Sequence, residues 1–240
     1  MGLVKRIFLV RHGQSMGNVD KTIHQTTADH AIPLSEEGKL QAVRAGEFLG
    51  AWFQRLEDAP IGTGTLRPRL WTSPYLRTRQ TSDGIEQGID KLPSSIATPR
   101  HESVSRILDR REDIALCEQQ FGLFDGIPDE DLPLRYPDAH AHYRKQEEFE
   151  GRFWARMPMG ESRFDVAMRV HQAFGTWQRD AEKHDIDHLI VVSHGVTIRA
   201  ILMRWLHLPF EWFETERNPK NCSVRLIEDN EDRGYIYTGG

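Results

Sequence analysis

Two apolar runs, one near each end of the chain, stop in the same way. Ile7-Phe8-Leu9-Val10 breaks into Arg11-His12-Gly13, and Leu189-Ile190-Val191-Val192 breaks into Ser193-His194-Gly195. Each run is continuous and largely β-branched rather than alternating, which is the pattern of a strand buried on both faces of a mostly parallel sheet. In open sheets of that kind ligands sit beyond the carboxyl ends of the strands. A single histidine after a strand is ordinarily a packing residue; two His-Gly pairs, each ending a strand, point to a shared site. Gly13 reads as a residue that lets the backbone turn sharply and approach a ligand closely.

Between the two runs the strand-then-helix alternation continues. Ser35-Glu36-Glu37 supplies a helix start, with Ser35 as the N-cap, and Leu40, Val43, Ala45, Phe48, Leu49 and Trp52 give a helical stripe to about Arg55. Arg69-Leu70-Trp71-Thr72 reads as a strand ending at Ser73-Pro74, followed by a helix from Tyr75 to Ile89. Ser95-Ile96-Ala97-Thr98 and Asp113-Ile114-Ala115-Leu116-Cys117 are further strand candidates, which places Cys117 in the core, alternating away from Glu118. A long amphipathic helix is expected from Ser162 to about Lys183 and another from about Val196 to Leu206. Val224–Ile227 and Tyr235–Tyr237 read as a terminal antiparallel pair with a charged turn, Glu228 to Arg233, between them. Val19 to Pro33 has no periodicity and reads as a loop lying over the site.

At 240 residues with 38% hydrophobic content the chain has material for one sizeable core. The expectation is a single three-layer α/β/α domain over residues 1–240 with a mostly parallel central sheet. Its inserted cap covers about residues 126–160, where Pro, acidic, His and aromatic residues gather around one helix near Ala139 to Phe149. A net charge of −5 gives no basic field for nucleic acid or an anionic membrane. Cys117 and Cys222 make neither a disulfide framework nor a metal-ligand spacing. No apolar stretch approaches the roughly 20 residues that span a bilayer, and Lys5-Arg6 interrupts any signal-peptide core. These features predict a soluble cytoplasmic protein.

Four pieces thus stand at strand ends or helix starts: Arg11-His12-Gly13, Ser73-Pro74 with Arg77, Glu118 before Gly122, and His194-Gly195. Guanidinium forks match phosphate oxygens, so arginines and histidines converging on one cleft fit a dianionic phosphoryl group. In this order, Arg11-His12-Gly13-Gln14-Ser15 with Asn18, Ser73-Pro74-Tyr75-Leu76-Arg77-Thr78-Arg79-Gln80-Thr81, Glu118-Gln119-Gln120-Phe121-Gly122 and Ser193-His194-Gly195 resemble the histidine phosphatase superfamily, the phosphoglycerate mutase-like proteins. The resemblance covers most of the chain. It implies that His12 is a nucleophile forming a phosphohistidine, that Arg11, Arg77 and His194 bind the phosphoryl oxygens, and that Glu118 is the proton donor. Asn18 and Gly195 would add substrate contacts, and Arg156, in a stretch similar to one branch of the family, is a further candidate. His140 and His142 are two apart on a helix and share no face, so they do not suggest a metal. The implied cycle uses no metal and no other cofactor, and its partner is a small phosphorylated metabolite.

Two departures separate the chain from cofactor-dependent phosphoglycerate mutases. Met16-Gly17-Asn18 stands where their first motif continues Glu-Trp-Asn, and their paired arginines in the insertion have no clear counterpart. A phosphatase is therefore the leading reading. A mutase using a bisphosphorylated primer and a non-catalytic phosphoester-binding regulatory module are the alternatives. Oligomeric state and the identity of the phosphoester are not encoded in any of these patterns.

Overall fold

The computed structural model describes residues 4–57, 68–91, 107 and 109–239. In chain order the elements are β1 (Arg6–Arg11), α1 (Met16–Val19), α2 (Glu36–Glu57), β2 (Arg69–Thr72), α3 (Leu76–Asp90), β3 (Asp109–Glu112), α4 (Leu132–Arg135), α5 (Pro137–Glu150), α6 (Arg163–His184), β4 (His188–Ser193), α7 (Gly195–Trp205), α8 (Phe210–Thr215), β5 (Val224–Glu228) and β6 (Glu231–Tyr237). They form a mixed α/β fold around one six-stranded sheet of order β3-β2-β4-β1-β5-β6. β3, β2, β4 and β1 are mutually parallel, while β5 and β6 close the far edge antiparallel.

Two layers of helix cover the sheet, and the period-2 alternation of the central strands assigns each side chain to one of them. Ile7, Leu9, Leu189 and Val191 pack with Val166, Val170 and Trp177 of α6 and Ile198 and Ile201 of α7. Phe8, Val10, Ile190 and Val192 pack with Ala42, Leu49 and Phe53 of α2 and Ile85 and Ile89 of α3. Each fully buried aliphatic or aromatic side chain here contributes about 1.5–3 kcal/mol of transfer free energy, which is why both central strands are apolar without interruption.

The register sets the site. β1 and β4 pair Arg6 with His188 through to Arg11 with Ser193, and β2 and β4 pair Thr72 with Val192. The residues following Arg11, Thr72 and Ser193 therefore emerge side by side at one edge. At the opposite end of β2, Arg69 is buried against Asp180 at 2.8 Å. Arg69 also holds Asp109 at 3.0 Å and Asp180 also holds Arg111 at 2.6 Å, so neither buried charge depends on a single partner.

Several expectations are revised. The strand expected at Asp113–Cys117 is a 3-10 turn, Ile114–Leu116, capped by the Asp113 carboxylate accepting from Ala115 N at 2.8 Å. The real strand is the polar Asp109–Glu112 just before it, which among the described residues pairs only with β2 and so needs no apolar pattern. Cys117, at the end of the turn, is half-buried rather than a core strand residue. The charged turn near the C-terminus shrinks to Asp229 and Asn230, both at positive φ (51° and 61°), and the charged residues Glu231 to Arg233 belong to edge strand β6. Ser35 does cap α2: its Oγ accepts from Gly38 N at 3.0 Å. The stretch Ser95 to Thr98 lies outside the described residues. Residues 126–160 carry α4 and α5, and Leu132, Tyr143 and Ala155 form a separate small cluster with Phe124. Pro137 starts α5 at the position where a missing N–H costs nothing.

Candidate active site

The parallel register of β1 and β4 puts the two imidazoles in contact. The ring centroids of His12 and His194 are 5.3 Å apart, and both side chains are essentially buried. His12 Nδ1 donates to its neighbour's carbonyl, Gly13 O, at 2.7 Å. That bond fixes the proton on Nδ1 and leaves a lone pair on Nε2. Burial, then the positive charges of Arg77 and Arg11, push the His12 pKa well below its ordinary value. The imidazole is therefore neutral near pH 7, between two guanidinium groups.

His194 is arranged the other way round. Its Nε2 lies 2.9 Å from Ser73 Oγ, and its Nδ1 is buried without a hydrogen-bond partner among the described residues. Its pKa is also pushed well below the ordinary value, by burial first and then by Arg77, His12, Arg169 and Arg11. Tyr75 packs edge-on against the His194 ring, while the Arg77 guanidinium lies 4.9 Å over the Tyr75 ring. Gln120 Nε2 donates to the Tyr75 hydroxyl at 2.8 Å and fixes that ring in turn.

Arg11 is aimed by a loop from the far end of the chain, its Nη1 donating to Pro219 O at 2.7 Å. Its Nε is buried without a partner among the described residues, and burial lowers its pKa. Asn221 Nδ2 from the same loop donates to His12 O at 3.0 Å. Arg77, on the first turn of α3, is 5% exposed and pairs end-on with Asp29: Nη1 to Oδ1 at 2.9 Å and Nη2 to Oδ2 at 3.0 Å. Asp29 belongs to the Val19 to Pro33 segment expected over the site, and its role there was not visible in the sequence.

Glu118 is brought to the same edge. Its carboxylate accepts from Val196 N at 3.4 Å and Thr197 Oγ1 at 3.3 Å, in the first turn of α7, and from Gln119 N at 3.0 Å. The N-terminal end of a helix favours negative charge there. Glu118 is also the strongest charge acting on Arg11.

The remaining candidates divide. Gly195 opens α7 at a close approach: a Cβ there would lie 3.0 Å from Asn218 Oδ1. Asn18 is exposed and serves the fold of its own turn, its Oδ1 accepting from Ser15 N at 3.0 Å and from Asn221 Nδ2 at 3.3 Å. Arg156 does not join the cluster. Its side chain is 60% exposed and pairs with Asp165, because the capping box of α6 presents that carboxylate to it. Arg79 likewise turns away, to Glu112 at 2.7 Å. Gly13 has an ordinary negative φ. Its missing side chain makes room for α2, since a Cβ would sit 2.4 Å from Gly38 O. The missing side chain thus has a packing role against α2.

Among the described residues no group of three or more His, Cys, Asp or Glu could hold a metal ion, and no helix is long and apolar enough to cross a membrane. A cavity of about 850 Å³ opens next to the cluster, between the segment carrying Lys21 and His24 and residues 121–157, with Phe121, Phe124, Tyr143 and Arg152 in its wall.

The family model of the histidine phosphatase superfamily (branch 1) matches residues 7–238. The phosphoglycerate mutase-like protein AT74H of Arabidopsis thaliana is 34% identical over 98% of this chain and 78% of its own length. The broad-range acid phosphatase DET1 of Saccharomyces cerevisiae is 27% identical over 94% of this chain and 85% of its own. The solved structure of a mycobacterial glucosyl-3-phosphoglycerate phosphatase superposes with a TM-score of 0.67 at 22% identity, covering 98% of this chain and 100% of that one, and so shares the fold. Because the match runs from the first buried residue of β1 past the end of β6, taking in every strand and both strand-end histidines, the chain belongs to the histidine phosphatase superfamily.

Proposed function

We propose that this protein is a metal-independent phosphatase that hydrolyses a small phosphomonoester through a phosphohistidine on His12. The observation that carries the reading is the His12 Nδ1 to Gly13 O bond, which leaves a neutral imidazole with its Nε2 lone pair between Arg11 and Arg77. In the first step Nε2 attacks phosphorus in line, the P–O ester bond breaks, and Glu118 in its acid form gives a proton to the leaving alkoxide. In the second step water attacks the phosphohistidine, Glu118 takes its proton, the N–P bond breaks and inorganic phosphate leaves.

The oxygens of the transferring group find preorganised donors in Arg11 Nε, His194 Nδ1 and Arg77. A hydroxyl proton from Ser73 on Nε2 of His194 keeps the ring's own proton on Nδ1, facing the phosphoryl group. With Nη1 and Nη2 of Arg77 paired to Asp29, its Nε–H and second Nη2–H form a side-on fork for two more oxygens. Asn18, through its amide nitrogen, and the α7 start at Gly195 flank the same position. The organic part of the ester extends toward the cavity beside Lys21 and Tyr143. The name of the yeast relative, a broad-range acid phosphatase, supports hydrolysis.

The test is phosphate release in EDTA from an aryl phosphate and a panel of small phosphomonoesters, with wild type beside His12→Ala. Release confined to the wild type is expected. Silence across the panel from folded wild type, followed by turnover when a bisphosphorylated primer is added, would replace hydrolysis by mutase-type transfer. A strict requirement for added divalent metal would overturn the scheme.

A further inference from the structure

Among the described residues the segment that carries Glu118 has no strand neighbour, yet its carbonyls are all claimed. Ala115 O accepts from Arg169 Nη1 at 2.6 Å, Leu116 O from Ser193 Oγ at 2.8 Å, Cys117 O from Thr197 Oγ1 at 2.6 Å and Glu118 O from Arg169 Nη2 at 3.1 Å. Four consecutive backbone acceptors are thus satisfied by side chains of α6, β4 and α7 in place of a ladder. Ser193 and Thr197 stand on either side of His194. Arg169 alone among these donors grips both ends of the segment.

Arg169 is itself fixed. Its Nε donates to Glu161 Oε1 at 2.8 Å and its Nη2 to Glu161 Oε2 at 3.1 Å. Glu161 Oε2 also accepts from Gln120 N at 3.0 Å, and Glu161 O accepts from Gln119 Nε2 at 2.8 Å. The planar guanidinium therefore ties Ala115 and Glu118 to α6 directly, and Glu161, paired to it, holds Gln119 and Gln120, a geometry that a lysine cannot reproduce. Arg169 contacts only the backbone of Glu118 and leaves the carboxylate to α7.

We propose that Arg169, locked by Glu161, is a positioning residue that sets the reach of the Glu118 carboxyl toward the leaving-group oxygen. The proposal rests on the proton-donor reading of Glu118 given above. Proton donation matters most when the leaving alkoxide is basic and least when it is already stable, so misplacing the donor has a signature that general loosening of the fold lacks.

The experiment measures kcat/KM for a series of phenyl phosphates from p-nitrophenyl through phenyl to p-methoxyphenyl phosphate, in wild type, Arg169→Met, Arg169→Lys, Glu161→Gln and Glu118→Gln. Arg169→Met is expected to lose about threefold on p-nitrophenyl phosphate and about thirtyfold on p-methoxyphenyl phosphate, steepening the dependence on leaving-group basicity. Glu118→Gln should steepen it further, and Arg169→Lys and Glu161→Gln should fall between wild type and Arg169→Met. Should Arg169→Met fail to fold, Glu161→Gln carries the same test, since it weakens the grip on Arg169 without removing a cation. An equal loss on all three esters in the Arg169 and Glu161 variants, with a steepened Glu118→Gln, would overturn the positioning role alone. An unsteepened Glu118→Gln would overturn the proton-donor reading and this proposal with it.

Discussion

The ends of β1 and β4 carry the same motif and have been built into different tools. Both present a buried histidine followed by glycine, both imidazoles are pushed toward neutrality, and their rings touch. They differ in which nitrogen is spoken for. At His12 a backbone carbonyl takes Nδ1, and a carbonyl can only accept, so Nε2 is left as a lone pair. At His194 a serine hydroxyl meets Nε2; a hydroxyl can donate as well as accept, and in the proposed cycle it donates, which puts the ring's proton on Nδ1. One ring is thereby suited to attack and the other to hydrogen-bond what is attacked. The glycines differ as well: Gly13 is pressed against the backbone of α2, whereas Gly195 meets only the side chain of Asn218.

Exchanging the two histidines for alanine breaks the comparison most directly. His12→Ala is expected to abolish both turnover and acid-labile phosphoenzyme, a loss of roughly 10⁴-fold or more. His194→Ala should still form phosphoenzyme in a rapid-quench experiment while turning over about 10²–10³-fold more slowly. Phosphoenzyme in the first variant and none in the second would reverse the assignment.

The glycines give the next largest effect, read by denaturant unfolding. Gly13→Ala places a Cβ 2.4 Å from a backbone oxygen that cannot yield, and should cost about 1–3 kcal/mol of stability. Gly195→Ala meets a side-chain oxygen at 3.0 Å that can rotate, and alanine gains up to about 1 kcal/mol in a helix, so its net change should be smaller. Equal costs would show that the two strand ends are packed alike after all.

Ser73→Ala sharpens the tautomer argument. Losing the hydroxyl that faces His194 Nε2 should lower kcat by roughly fivefold, the worth of about one hydrogen bond, while leaving phosphoenzyme formation on His12 intact. An unchanged kcat would remove Ser73 from the account.

The gentlest probe is pH. In the proposed cycle His12 attacks unprotonated, and its pKa is depressed by burial and by two cations, so the acid limb of kcat/KM should lie below the ordinary histidine range. In Arg77→Gln one of those cations is gone, the His12 pKa rises, and the limb should move to higher pH. A shift toward lower pH would mean that another group governs the limb.

How much of this was legible beforehand follows from distance along the chain. The central strands, the two histidines and Arg11 announce themselves through apolar runs and what ends them, because those signals are local; Arg77 shows as a cation in the first turn of a helix, and Glu118 came through the family resemblance. Asp29, Arg169, Ser73 and Asn221 act through partners far away in sequence, and two of them grip backbone carbonyls, which no residue type advertises. The strand β3 was misplaced for a related reason: the apolar Ile114-Ala115-Leu116 looks more strand-like than Asp109–Glu112, yet pairing at a sheet edge asks only for backbone groups. Arg156, a candidate from a stretch similar to one branch of the family, stands apart from the cluster because Asp165 claims it, a pairing that the similarity does not carry.

The pairing of Arg11 with Ser193 across the two central strands has a mechanical consequence. Each histidine hangs one residue beyond a ladder buried on both faces, so the gap between the rings is an integer property of the sheet, and a slip of register would part them by whole strand steps. Hydrogen exchange at Val10 and Val192 should require global opening, whereas Asp29 and Pro219, borne on connecting segments, can release their arginines by local opening. Mild denaturant should accordingly loosen the grip on the anion well before it separates nucleophile from donor.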